Sequence, residues 1–157
     1  MSLRHPTGRV RVAVLLVGML FGMSAGASTL DELRWERRLV FAFGADEASR
    51  RALADLVAAR ACELDDRDVD VHLVDADTLV PLSEGARPLD EASADAVRRL
   101  ASDAGRGLEL VLVGKDGGVK RRATDVAALD DFMVAIDGMP MRRAERSADG
   151  CAGKRGD

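Results

Sequence analysis

The sequence predicts one α/β domain, built on a mixed four-stranded sheet with helices on both faces. Three observations support this fold class. The hydrophobic period alternates along the chain between two residues, typical of strands, and 3.6 residues, typical of helices. The apolar run 39–43 and the nearly continuous run 108–113 have the length of strands buried on both faces. The pair Asp116-Gly117 predicts a tight hairpin.

Length and composition limit the possible classes of protein. The 157 residues are enough for one domain, and 47% apolar content excludes a disordered chain. The chain has no Tyr, one Trp and a net charge of −4, so we expect no nucleic acid as a partner.

The N-terminal segment resembles an export signal. Three arginines precede the apolar run Val12 to Met23, and the small residues Ala25 to Ala27 follow it. These arginines are Arg4, Arg9 and Arg11. The run has 12 residues, whereas a membrane span needs about 20. We therefore predict a signal peptide over 1–27, cleaved after Ala27, and a periplasmic or secreted protein without a stable span. An uncleaved N-terminal anchor is the alternative.

Cleavage would leave an acidic chain of 20 basic and 27 acidic residues, with a net charge of −7. Its two cysteines, Cys62 and Cys151, are too few for a disulfide framework.

The first half of the mature chain predicts a lead-in, two strands and a helix. Residues 28–37 form the lead-in, whose Trp35 we expect to pack onto the domain at 38–143. After the central strand 39–43, Asp46 can cap a helix that runs to about Cys62. In the next strand, 69–73, apolar residues alternate with Asp70 and His72, which indicates one exposed face or an edge position.

The second half predicts two helices around a hairpin. A loop with Pro81 leads to a helix capped by Asp90, and strand 108–113 and the basic return strand 119–122 follow. A basic edge strand resists pairing with other chains. Thr124 or Asp125 caps the last helix, which ends at Gly138 and Pro140. Residues 144–157 are a polar tail that we expect to be disordered.

The resulting order is β-α-β-α-β-β-α. With a right-handed first crossover and the two most apolar strands central, the sheet order becomes 2-1-3-4. This is the thioredoxin-like arrangement.

Several motifs carry a resemblance to a known family. They are the strand Leu39 to Phe43 behind Trp35, the pair Arg67-Asp68, the hairpin Gly114 to Lys120, and the ending Ile136 to Glu145, which includes Met-Pro-Met-Arg-Arg. The chain resembles, over about residues 30 to 145, the bacterial branch of a secreted thioredoxin-like domain family of unknown function. Relatives of that domain occur in equarin and in sushi-repeat-containing proteins. The chain departs from the family at Gly138, where Ala is commoner. The resemblance implies a fold and a compartment, but no activity.

Thiol-disulfide exchange of the thioredoxin type is not expected. It needs a low-pKa cysteine at the start of the first helix, and the turn here is Gly44 to Ser49, with two carboxylates and no cysteine. A proline before the third strand is also missing, since Gly105 to Gly107 precede Leu108.

Cys62 is the weak catalytic candidate. As a reactive thiol it would give a peroxide-handling or redox-sensing protein, which is our alternative function. A helix C-terminus and the following acids raise a thiol pKa, which favours a small packed side chain instead. Cys151 could pair with Cys62 or remain a spare thiol.

The sequence gives little support for a metal site or for a catalytic triad. His72 is the only histidine after cleavage, and a solvated strand face accounts for it better than a zinc site. We predict neither a metal nor a cofactor.

Six basic residues are the candidate binding site. They are Lys115, Lys120, Arg121, Arg122, Arg142 and Arg143. We expect a non-catalytic binding module that uses these cations for a periplasmic protein or an anionic ligand. The structural alternative is that they protect a sheet edge and complement a helix C-terminus.

Overall fold

The computed structural model describes residues 26–102 and 107–145. Within them, five strands form one sheet in the order β3-β2-β1-β4-β5. The strands are β1 (Arg38–Phe43), β2 (Val69–Val74), β3 (Leu79–Pro81), β4 (Glu109–Val113) and β5 (Val119–Ala123). β1 and β2 are parallel, and the other neighbouring pairs are antiparallel.

Helices cover both faces of this sheet. They are α1 (Leu30–Leu33), α2 (Glu47–Ala59), α3 (Ala61–Asp65), α4 (Glu91–Arg98), α5 (Ala128–Asp137) and α6 (Pro140–Glu145). The four predicted strands have the predicted order, as β2-β1-β4-β5, so the thioredoxin-like arrangement is confirmed.

The sheet has one more strand than the sequence predicted. β3 lies in the segment predicted to be a loop, and it pairs with β2 through three residues. Pro81 opposes His72 at the end of this short pairing. Proline lacks an N–H donor, so within a sheet it is tolerated only at such an edge. Because proline is more typical of loops, Pro81 led the sequence analysis to predict a loop here.

Two hydrophobic cores flank the sheet because side chains alternate along each strand. Val40 and Ala42 of β1 face the core beneath α2 and α5, with Leu53 and Phe132 among its members. Phe41 and the other odd-numbered residues of β1 face the second core, which α1 and α4 cover.

β2 is buried on both faces, so the prediction of an exposed face at Asp70 and His72 is wrong. Arg37 donates to the Asp70 carboxylate from Nε at 3.0 Å. His72 Nε2 lies 3.1 Å from the Arg87 carbonyl oxygen, and the imidazole stacks against Phe41 with ring centroids 5.7 Å apart. Protein groups replace solvent as partners of both polar side chains.

The predicted helix caps at Asp46 and Asp90 are confirmed, since each carboxylate accepts a backbone N–H three residues later. The first predicted helix is instead two, because it breaks at Arg60. The last predicted helix starts later than expected. Asp125 forms a turn with the Ala127 N–H, and α5 begins at Ala128.

Both ends of the domain differ from the prediction. α6 starts at Pro140, where a missing N–H costs nothing, and includes Ala144 and Glu145, which were predicted to belong to the tail. The rest of that tail, and residues 1–25 of the predicted signal peptide, lie outside the described residues. Trp35 is 61% exposed and does not pack as predicted. Its backbone has a φ of 69° and donates to the Lys115 carbonyl oxygen at 2.7 Å, so the turn is held while the indole lies at the surface.

Candidate functional site: a crevice beyond the carboxyl ends of the parallel strands

A crevice of about 880 Å³ opens beyond the ends of β1 and β2. It lies where the chain leaves these strands at Gly44 and Asp75, and Leu108, Glu109 and Arg122 line its other side. Open α/β sheets bind ligands beyond the carboxyl ends of their parallel strands, and small-molecule sites have about this volume. Position and size therefore make this crevice the candidate site.

A glycine closes one end of the crevice by close backbone packing. Gly44 has a φ of +61°, and a Cβ built on it would lie 2.4 Å from the Gly107 carbonyl oxygen. A side chain at position 44 would push the two loops apart. The sequence thus uses glycine where the end of β1 meets the segment before β4.

The turn after β1 contains acidic and cationic groups but no thiol. The Ser49 N–H lowers the pKa of Asp46, the cap of α2, by donating a hydrogen bond to it. Arg50 Nε donates to the Ala45 carbonyl oxygen at 2.9 Å. The position where a thioredoxin-type enzyme needs its cysteine is therefore part of a capped, charged turn.

The lining of the crevice contains Asp75 and Arg98. Arg50 donates to both carboxylate oxygens of Asp75, with Nη1 2.8 Å from Oδ2, and this lowers the pKa of Asp75. Arg98 Nη1 donates to the Asp95 carboxylate at 2.7 Å, and its Nε lies 3.4 Å from the Asp75 carbonyl oxygen. Asp75 is thus ionised, and both of its carboxylate oxygens accept hydrogen bonds.

A second charged pair of the lining is Glu109 with Arg122. Glu109 Oε1 accepts from Arg122 at 2.6 Å, and Oε2 accepts from the N–H and the hydroxyl of Ser102 at 2.9 and 3.0 Å. Burial alone would raise the pKa of Glu109, but these donors lower it. This carboxylate is also ionised, and both of its oxygens are occupied.

Apolar side chains complete the lining of the crevice. They include Phe43, Val74, Leu108, Ala76 and Ala101. The lining contains neither His nor Cys among the described residues. Nor does any group of three His, Cys, Asp or Glu within 26–102 and 107–145 come together to hold a metal ion. The arrangement is suited to binding a molecule that is partly apolar and partly polar.

Two of the predicted site residues are not at the surface. Lys115 is 8% exposed, with Nζ 2.7 Å from Asp68 and 2.9 Å from Glu145. Arg142 is also buried, and it pairs with Asp66 and Asp137. The expectation that these cations face a ligand is corrected, because carboxylates distant in sequence surround them.

The other predicted cations are exposed but dispersed. Lys120 pairs with Asp116 at 2.6 Å, and Arg143 donates to the Gly138 carbonyl oxygen at 2.8 Å. Arg121 is exposed and forms no ion pair with any described residue. Of the six predicted residues, the structure places Arg122 alone in the lining of the crevice.

Cys62, the catalytic candidate, lies in α3 and is disulfide-bonded. The other cysteine of the sequence, Cys151, lies outside the described residues. A sulfur held in a disulfide is not a thiolate, and the thiolate is the form that attacks peroxide. This state of the protein thus offers no reactive thiol at Cys62.

Sequence reasoning missed Asp75, Arg98, Ser102 and Glu109 as site residues. The signal for Asp75 was its position directly after a buried strand, since the ends of parallel strands meet at one edge. Arg98 offered no comparable signal, because its position depends on how α4 packs against the sheet.

Known proteins that are similar to this chain include a family of unknown function and a solved structure. Within residues 26–102 and 107–145, the structure has no helix with the length and apolarity that crossing a bilayer requires. No curated protein matches the sequence significantly. Among solved structures, the chain is similar to thioredoxin peroxidase I of Plasmodium yoelii, with 13% identity and a TM-score of 0.49 over 80% of this chain and 84% of that one. The family described as a domain of unknown function, DUF4174, matches residues 29–145, and the chain belongs to this family.

Proposed function

We propose that this protein is an exported, non-catalytic binding module whose ligand occupies the crevice beyond β1 and β2. One observation carries the proposal. The crevice has the position and volume of a ligand site, yet its described lining contains no nucleophile of the kind a thioredoxin-type enzyme uses.

The charged groups of the crevice support binding over catalysis. A general base needs a free acceptor and a pKa near the working pH. The pKa values of Asp75 and Glu109 are lowered from the ordinary carboxyl values, so neither carboxylate meets the second requirement. Their role in the proposal is to hold Arg50 and Arg122 in place.

Arg122 links the crevice to the basic strand that suggested a binding role in the first place. It is the residue of β5 whose side chain reaches Glu109, and it contributes positive charge to an acidic protein. We therefore expect the anionic ligand to bind in the crevice and not along the basic hairpin.

The backbone contacts of Ser28 support export with cleavage after Ala27. Gly26 and Ala27 are exposed, whereas the Ser28 N–H donates to the Pro88 carbonyl oxygen at 2.8 Å. The Ser28 carbonyl oxygen accepts from the Asp90 N–H at 3.0 Å. A chain beginning at Ser28 would retain each of these contacts.

A ligand-observed NMR screen tests the binding proposal on the mature protein. The library should mix small anionic, cationic and neutral compounds. The substitution Ala76→Trp fills the crevice from an exposed lining position, and Ala58→Trp adds the same bulk to the exposed surface of α2. We expect compounds that bind the wild-type protein and Ala58→Trp but not Ala76→Trp. Equal binding to all three proteins, or no binding, would contradict the proposal.

Intact mass of the protein from the periplasm of a bacterial host tests export. We expect a species that starts at Ser28. Full-length protein in the membrane fraction would instead show that the N-terminal segment is retained as an anchor.

A further inference from the structure

We infer that the crevice takes a small apolar carboxylate, whose acid group accepts hydrogen bonds from Arg98 and Arg122 and whose hydrocarbon part contacts Phe43, Val74 and Leu108. This inference rests on the proposed function, because it names the chemistry of the ligand in the same crevice.

Each carboxylate of the crevice is already paired with an arginine. Both carboxylate oxygens of Asp75 accept from Arg50, and the oxygens of Glu109 accept from Arg122 and Ser102. A cationic ligand would have to share a carboxylate with a guanidinium group of the same charge. These pairs therefore disfavour ammonium groups.

The arginines of the lining, by contrast, have more N–H donors than the protein's own acceptors use. A guanidinium group has five N–H donors. Arg98 uses Nη1 for Asp95 and Nε for the Asp75 carbonyl, which leaves Nη2 without a described protein partner. Arg122 uses Nη1 for Glu109, and its Nε and Nη2 have no partner among the described residues.

Partial exposure lets these spare donors reach a ligand. The side chains of Arg98 and Arg122 are 28% and 40% exposed, so solvent reaches both groups. Guanidinium groups match carboxylates in geometry and form charge-assisted hydrogen bonds with them. A carboxylate thus complements the N–H donors that the lining still offers.

The apolar part of the lining specifies the rest of the ligand. Phe43 and Val74 reach the crevice from the buried ends of the two parallel strands, and Leu108, Ala76 and Ala101 add apolar surface to the lining. A fully polar anion such as phosphate would leave this apolar surface in contact with water. An anion with an apolar chain would cover it.

Isothermal titration calorimetry at pH 7.5 with octanoate, octanol and octylamine tests the inference on the mature wild-type protein. These compounds share one chain and differ in the head group. We expect octanoate to bind at least tenfold more tightly than octanol, and octylamine not to bind. Ala76→Trp should abolish binding of octanoate.

Neighbouring arginines supply matched controls. Arg98→Gln and Arg122→Gln should each weaken octanoate binding about tenfold, the effect of losing a charge-assisted hydrogen bond. Arg99→Gln and Arg121→Gln remove the same charge next to each site, outside the lining, and should change the affinity less than twofold. An equal loss in all four variants would indicate general attraction of anions and would overturn the specific site.

The failure of this inference can be told apart from the failure of the proposed function. If octanol or octylamine binds as well as octanoate, and Ala76→Trp abolishes that binding, the ligand class is wrong and the crevice remains a site. If none of the three compounds binds, the carboxylate inference is overturned. If the library screen also finds no compound sensitive to Ala76→Trp, the proposed function fails as well.

Discussion

The two ends of the central strands contain the same kinds of charged residue in opposite states. At the amino ends of β1 and β2, Arg38, Lys115 and Arg142 are buried, and each faces at least one carboxylate. At the carboxyl ends, Arg98 and Arg122 are partly exposed and retain spare donors. Buried and paired cations stabilise a fold, whereas exposed cations with free N–H groups can bind a ligand.

The charged residues at the amino ends of β1 and β2 hold α6 against the sheet. Arg38 donates to Glu145 at 2.9 Å, and Lys115 lies at the same distance from the other oxygen of that carboxylate. Arg142 reaches the Asp66 backbone carbonyl and its carboxylate as well as Asp137. Charged contacts thus hold α6 at Arg142 and Glu145. We therefore expect substitutions at the amino ends of the strands to reduce stability more than substitutions at the carboxyl ends.

The largest expected effect is on stability, from Arg142→Ala. This change removes the buried hydrogen bonds of Arg142 to Asp66 and leaves Arg67 as the remaining cation beside Asp66 and Asp137. Losing buried charge-assisted hydrogen bonds costs about 2–3 kcal/mol. The free energy of unfolding from urea denaturation measures the loss. The neighbouring Arg143→Ala, at an exposed position, should change it by less than about 0.5 kcal/mol. Equal effects of the two substitutions would show that the buried network does not hold α6.

Glu145→Gln should destabilise the protein less and should change its acid sensitivity. Burial alone would raise the pKa of Glu145, but Lys115 and Arg38 lower it. A lowered folded pKa gives stability that is present above the unfolded value of about 4.3 and is lost as the pH falls through the folded pKa. The Gln variant should lose about 1–2 kcal/mol at neutral pH and show a shallower acid slope. Urea titrations across this pH range would detect it, and an unchanged slope would contradict the pairing.

His72 should give a smaller effect in a different pH window. Burial lowers the pKa of its imidazole, so as the pH falls below about 6.5 the unfolded chain takes up a proton first. Stability should therefore decline from neutral pH down through the folded pKa of His72. His5, the other histidine, lies in the predicted signal peptide, so His72→Gln should remove this slope from the mature protein. A slope that persists in the variant would assign it to another group.

The smallest effect on stability should come from a substitution in the crevice, at the carboxyl ends of β1 and β2. Arg122→Gln removes a partly exposed pair with Glu109, and such pairs contribute about 0–1 kcal/mol. We expect the melting temperature to change by only a few degrees, while octanoate affinity falls about tenfold. A loss of stability as large as that of Arg142→Ala would remove the distinction between the two ends.

Local patterns in the sequence predicted most of the fold. The carboxylates of Asp46 and Asp90 stand at helix starts, and the apolar runs give the central strands. β3 was missed because three residues ending in proline carry too little periodicity to indicate a strand.

The candidate site was less predictable, because the burial of a charged residue depends on distant partners. Lys115 meets Asp68, 47 positions away, and Arg142 meets Asp66, 76 positions away. No local pattern distinguishes these cations from the exposed Arg121. The same reasoning explains why the basic cluster of the hairpin indicated Arg122, whereas nothing local indicated Arg98.

A titration of the ¹⁵N-labelled mature protein with sodium octanoate, followed by amide chemical shifts, tests the central claim most directly. The account predicts saturable shift changes at Gly44, Ala76, Ser102 and Ala123, with the amides of Lys115 and Glu145 unchanged. Saturable changes centred on Lys115 and Glu145, or no saturable change at the crevice, would contradict it.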